Sequence, residues 1–230
     1  FYYESNFIKS YILILGAVSI IAGCIGAIYQ KDLKQIVIFN IVISLGVMVC
    51  GTATLNTFGV KGALLYAVND ILLKAALFIV VGLIIYVSGV KYLQKCGLIN
   101  KYPLLGWTYF IIVLSLAGVP PFSGFYGKAL IIKGLVTNNN TFIAILVALS
   151  GLVVFYSLIR IFLNVFYDNI NKSLILKPLP KGVQIPLIAI VAIALIIGVS
   201  SNLLDGFFDK GIQMVLNPQH YIDLVLKKGA

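Results

Sequence analysis

Charge is scarce in this chain. Of 230 residues only 10% are charged, 7 of them acidic against 17 Lys and Arg, while 61% are hydrophobic and the mean hydropathy is +1.07. No water-soluble domain is built from that balance, so the chain reads as a polytopic membrane protein. Histidine is scarcer still: His220 stands alone, which argues against a histidine-based metal site. The three cysteines, Cys24, Cys50 and Cys96, lack paired or metal-ligand spacing, and the first two read as small packing residues in apolar runs. Catalytic triad, phosphate-binding glycine loop and metal cluster are all missing from the pattern, so neither covalent catalysis nor a cofactor is expected. An initiator methionine is also missing, since the chain opens Phe1-Tyr2-Tyr3-Glu4. Its first apolar run is too long, and wrongly flanked, for a cleaved signal peptide, so the chain reads as the later part of something longer.

What is present is length of apolar run. Six runs, about 10–29, 35–55, 62–88, 107–133, 142–167 and 184–204, each approach or exceed the ~20 residues that span a bilayer. Gly, Asn, Lys and Pro clusters separate them. All six read as helices, because only helices and closed barrels satisfy their backbones in lipid, and barrel strands are short and alternating. The expected fold is therefore all-α, in a multi-pass protein of a cell membrane surrounded by lipid, the prokaryotic plasma membrane being the expected one. Residues 205–230 mix Phe207, Phe208, Met214, Leu216, Tyr221 and Leu224 with charges, and read as an amphipathic tail lying on the surface or against a partner.

A formal charge of +10 is of the kind a nucleic-acid binder carries, but most of the lysines sit in short connections between apolar runs, which is a topological signal. One side receives Lys31, Lys34, Lys91, Lys95, Lys101, Lys172, Lys177 and Lys181; the other receives Lys9, Lys61 and Lys133, plus Lys210, Lys227 and Lys228 in the tail. The first side is expected to be cytoplasmic, and nucleic acid is not an expected partner.

Several polar residues lie inside the runs. Asn40 and Ser44 are four apart, stacked on one helix face, and either line a polar path or bond a neighbouring helix. Asp70 and Lys74 are one turn apart, acid first, the better order for an ion pair, with Asn69 beside them. Each charge alone would cost a few kcal/mol at the bilayer centre, a cost a scaffold avoids with leucine. Retaining both points to proton or cation handling, the alternative being a structural ion pair. Arg160, Asn164 and Asp168 follow at four-residue steps near the cytoplasmic end. They read as a snorkelling interface ladder, or as the mouth of a proton path. Ala22 and Gly26, and Gly23 and Ala27, have the small-residue spacing of close helix contact.

The fourth run is interrupted. Gly118, Pro120, Pro121, Gly124 and Gly127 sit in its middle and Lys128 follows at once. Prolines remove backbone donors and clash with the preceding turn, so a straight helix cannot pass. A broken helix in hydrocarbon is tolerated only where protein or a watery cavity surrounds the freed groups, and an ionisable residue beside it is how ion transporters build a midplane site. The alternative is a kinked packing helix whose lysine reaches an interface.

Three stretches, taken in order, carry a resemblance. They are Asp32-Leu33-Lys34 with Gly46 beyond it, Asp70-Ile71-Leu72-Leu73-Lys74-Ala75-Ala76-Leu77-Phe78, and Gly118 to Lys128. The chain resembles the proton-conducting antiporter-like subunits of Mrp-type Na+/H+ antiporters and of respiratory complex I and related hydrogenases. The ending Asn217-Pro218-Gln219-His220-Tyr221-Ile222-Asp223-Leu224-Val225-Leu226 is most similar to the D-type branch. The resemblance implies two inverted repeats, each with a broken helix, of which this chain matches the second repeat and the last helix. It implies that Lys128 ends a lateral charged axis and that Lys74 is the preceding station. Histidines usual in the family near Ser44 and near Asn69 or Asp70 are absent here, so water held by Asn40, Ser44 and Asn69 would have to bridge.

The expectation is a proton path through Lys74, Asp70 and Lys128, supported by Asn40, Ser44, Asn69, Arg160 and Asp168, in part of a multisubunit Na+/H+ antiporter. Its partners would be other integral membrane subunits, one of them supplying the first repeat unless the same chain does. A proton-pumping or structural membrane-arm subunit of a complex I-like or hydrogenase complex is the alternative. A small-molecule permease is a third reading, for which no solute-specific constellation exists.

Overall fold

Seven α-helices hold most of the residues that the computed structural model describes, which are 6–120, 122–167, 177–179 and 182–199. They are α1 (Asn6–Tyr29), α2 (Leu33–Ala53), α3 (Thr57–Ser88), α4 (Pro103–Ala117), α5 (Ser123–Thr137), α6 (Thr141–Ile161) and α7 (Gln184–Val199). Among the described residues there is no β-strand, and the chain is a multi-pass all-α membrane protein. Four stretches are long and apolar enough to cross a membrane, Phe7–Tyr29, Leu33–Ala53, Thr57–Ser88 and Thr141–Tyr167. Pro103–Ala117 and Gln184–Ile196 are shorter apolar helices. The tail at 205–230 and Lys172 and Lys181 lie outside the described residues.

Local chemistry sets the helix ends. Asp32 caps α2, its carboxylate accepting from the Lys34 and Gln35 backbone N–H groups at 2.8 and 3.3 Å. Asn56 caps α3 in the same way, accepting from Gly59 N–H at 2.7 Å. The Asn56–Gly59 cluster, which reads in sequence as a separator, is therefore the cap and first turn of a 32-residue helix. Gly89 ends that helix with φ +70. The connection after α3 is pinned back on the α1–α2 corner, with Leu33 N–H bonded to Lys91 O and Leu93 N–H to Lys31 O, both at 2.9 Å. Cys96 lies fully buried in this connection, and burial pushes its thiol up from the ordinary range.

Packing follows the small residues. α1 lies against α2 so closely that a Cβ on Gly16 would stand 3.1 Å from the Gly46 carbonyl oxygen. Gly23 and Gly26 face Ile43 and Phe39 across the same seam, whereas Ala22 of the expected small-residue pair is exposed. The larger apolar core joins α2, α3, α4, α6 and α7 around Leu73, Leu77, Tyr109, Ile112, Leu158 and Phe166. Tyr109 closes it, stacked on Phe162 and donating its hydroxyl to Leu158 O at 2.9 Å. A second core, around Ile20, Val47, Tyr66, Ile131 and Val147, lies among α1, α2, α3, α5 and α6. The polar residues described next are held among these helices.

Candidate functional site

The crossing expected at 107–133 is two helices, α4 and α5, with residues 118–122 between them. Gly118 adopts φ +80, a conformation that favours glycine. Its N–H bonds Ser115 O at 3.2 Å and that of Val119 bonds Leu114 O at 3.1 Å, the paired bonds of a Schellman end. Pro120 has no N–H to continue with, and Pro121 lies outside the described residues. Two carbonyls of α4 remain, those of Leu116 and Ala117. Lys128 supplies their donors, its Nζ lying 3.0 and 3.1 Å away. Its ammonium thus sits on the negative end of α4's dipole, at 6% exposure. Gly124 returns so near that a Cβ there would strike the Ser115 carbonyl oxygen.

α3 places Tyr66, Asp70 and Lys74 one turn apart on a single face. Lys74 Nζ lies 2.7 Å from Asp70 Oδ2, with side chains only 8% and 5% exposed. It also donates to Asn40 O at 3.0 Å and to Ser44 Oγ. Three N–H donors thus meet three acceptors, while Asp70 Oδ1 is buried without a partner among the described residues. Tyr66 is buried one turn before Asp70, and Lys128 Nζ lies 5.5 Å from the centre of its ring. Two amines and one carboxylate are therefore brought together around one phenol.

The polar contacts run on from Lys74 through α2 to α6. Ser44 Oγ donates to Asn40 O at 2.9 Å, and Asn40 Nδ2 donates to Ser157 Oγ at 3.0 Å. Ser157 is fully buried and directs its own hydroxyl to Val154 O at 3.0 Å. Asn69 is buried on α3 next to Asp70. Asn40 is thus both the link to a neighbouring helix and a member of a polar file.

Arg160 lies elsewhere. It turns onto the end of α1, where Nη1 donates to Ile28 O at 2.8 Å and Nη2 to Gln30 O. Asn164 Nδ2 donates to Arg160 O at 2.7 Å, and residues 162–167 form a π-helical turn that rotates the four-residue ladder. Asp168 lies outside the described residues. Three positions escaped sequence reading: Tyr66, Ser157, and Gly151, where a Cβ would stand 3.5 Å from Lys128 Nζ. Tyr66 precedes Asp70 by one turn and Ser157 precedes Arg160 by three residues, so spacing could have suggested these two.

A family model described as "NADH:quinone oxidoreductase/Mrp antiporter, TM" matches residues 1–154. The chain is 35% identical over 234 residues to a Bacillus subtilis (strain 168) protein named as the D subunit of an Na(+)/H(+) antiporter, covering 99% of this chain and 47% of that one. A chain from the Mrp complex of Dietzia sp. DQ12-45-1b superposes with a TM-score of 0.88 at 20% identity, covering 97% of this chain and 50% of that one. A chain of respiratory complex I from Thermus thermophilus gives 0.78 at 23% identity, covering 90% and 43%. At such identities these superpositions establish the fold. The chain spans about half the length of the curated relatives it matches.

Proposed function

Because the chain belongs to the NADH:quinone oxidoreductase/Mrp antiporter membrane family, we propose that it is a proton- and cation-translocating membrane subunit of a multisubunit Na+/H+ antiporter, with Lys74, Asp70 and Lys128 carrying the proton. The observation behind this reading is a buried amine–carboxylate pair with a second buried amine across Tyr66, clamped on the carbonyls of a broken helix. With both amines protonated and the acid ionised, the cluster carries one net positive charge; releasing one proton leaves it neutral. That difference of one proton is the cargo. Lys128 lies against the Tyr66 ring, one turn from Asp70 along α3, and bridging water would complete a hydrogen-bonded route between them. On the far side, Ser44, Asn40 and Ser157 offer hydroxyl and amide groups in place of imidazoles. The partners are other integral membrane subunits, which supply the first repeat where this chain does not.

One observation favours a second reading. The three donors of Lys74 are all satisfied, as a purely architectural ion pair would have them. Replacing a buried ion pair by apolar residues of similar size is often neutral for stability, so the double variant Asp70→Leu/Lys74→Leu separates the two. In membrane vesicles holding the assembled complex, the proposal expects normal subunit content and Na+-driven proton movement reduced to background. Antiport at the wild-type rate would leave the pair a scaffold and remove the proposal.

A further inference from the structure

We infer that Arg160 is an electrostatic seal, closing the polar file from Lys74 against cations entering from the end of the bundle where α1 meets α2. This rests on the proton-carrying reading of Lys74. From that residue, hydrogen bonds run to Ser44 and on to the Asn40 carbonyl, and the Asn40 side-chain amide continues to Ser157. Ser157 and Arg160 are three residues apart on α6, hence on one helix face. Beyond Arg160 lies Gln30, whose carbonyl it holds and which lines a surface cavity of about 430 Å³ with Tyr29, Lys31, Asp32, Gln35 and Tyr92. Such a volume holds several waters. Arg160 therefore ties the rim of this cavity to the helix face that carries Ser157. Its Nε is buried without a partner among the described residues, and its two Nη groups are held by backbone carbonyls at the end of α1. A fixed guanidinium there repels Na+ and hydronium, as cationic constrictions do in selective pores. Without it, the mouth would join the proton site to one face of the membrane and dissipate the gradient.

Arg160 also caps α1, and the test must separate charge from capping. The complex is reconstituted in liposomes under an inside-negative potassium diffusion potential, without a pH gradient, and 22Na+, proton and chloride uptake are followed. Arg160→Lys keeps both charge and donors; Arg160→Gln keeps donors alone. Wild type and Arg160→Lys are expected to be tight, and Arg160→Gln to admit Na+ and protons about tenfold faster with chloride unchanged. Equal tightness of Arg160→Gln, equal leak in Arg160→Lys, or chloride rising with Na+ would each overturn the seal. Gln30→Glu, which adds a second carboxylate to the cavity beside Asp32, is expected to raise Na+ influx severalfold with Arg160 in place, so the idea stays exposed even where Arg160→Gln does not assemble; an unchanged influx would overturn it. The leak needs no turnover, whereas the Asp70→Leu/Lys74→Leu variant reads antiport, so either conclusion can fail alone.

Discussion

A lysine ammonium inside an apolar bundle must place three donors, and the two central lysines do so differently. Lys74 meets Asp70, Ser44 and a backbone carbonyl, whereas Lys128 has two carbonyls that a helix gave up by ending. Removing one partner of a buried pair strands the other charge, at a cost of about 3–5 kcal/mol, while removing both is close to neutral. Lys74→Met alone should therefore lower the melting temperature of the purified complex clearly, and Asp70→Leu/Lys74→Leu should bring it back near the wild type. A double variant as unstable as the single one would contradict the uncompensated-charge account. At this scale the sequence was informative where partners are local: the four-residue spacing of Asp70 and Lys74 announces their ion pair. It was silent on Ser157, which meets Asn40 from 117 positions away.

Among elements, the break between α4 and α5 creates the site. Its cause is local, a glycine at φ +80 followed by a proline without an N–H, so the residue types at Gly118 and Pro120 were enough to announce it. A non-glycine residue in the left-handed conformation costs about 1–2 kcal/mol, and a Cβ at Gly118 would also press on Lys128 Cδ at 3.2 Å. Gly118→Ala should accordingly shorten the thermal half-life of the complex and slow its antiport together, measured on one preparation. Wild-type half-life in that variant would mean that the turn does not require glycine. The helix start at Thr57 was less legible, because polar residues that read as a connection serve as its cap and first turn. The seating of Arg160 on α1 was not legible, since it depends on how two distant helices lie together. The same holds for Gly16 against Gly46.

Taken whole, the described helices bury one polar cluster and turn apolar faces outward. α1 exposes Tyr11, Ile14, Val18, Ile21 and Ile25, and α6 exposes Phe142, Ile145, Leu149 and Leu152, surfaces suited to lipid or to other membrane subunits. The all-α membrane class was legible from composition alone, because 61% hydrophobic residues in long runs leave few other solutions. The convergence of α2, α3, α5 and α6 on one cluster was not, since it depends on which helices neighbour which. The claim that unites these scales is that the amine clamped at the helix break carries a proton for the whole complex. Its most direct test is ΔpH-driven 22Na+ uptake by proteoliposomes holding the assembled complex with Lys128→Ala. Uptake at the protein-free background, with all subunits present, is the predicted result; uptake at the wild-type rate would contradict it.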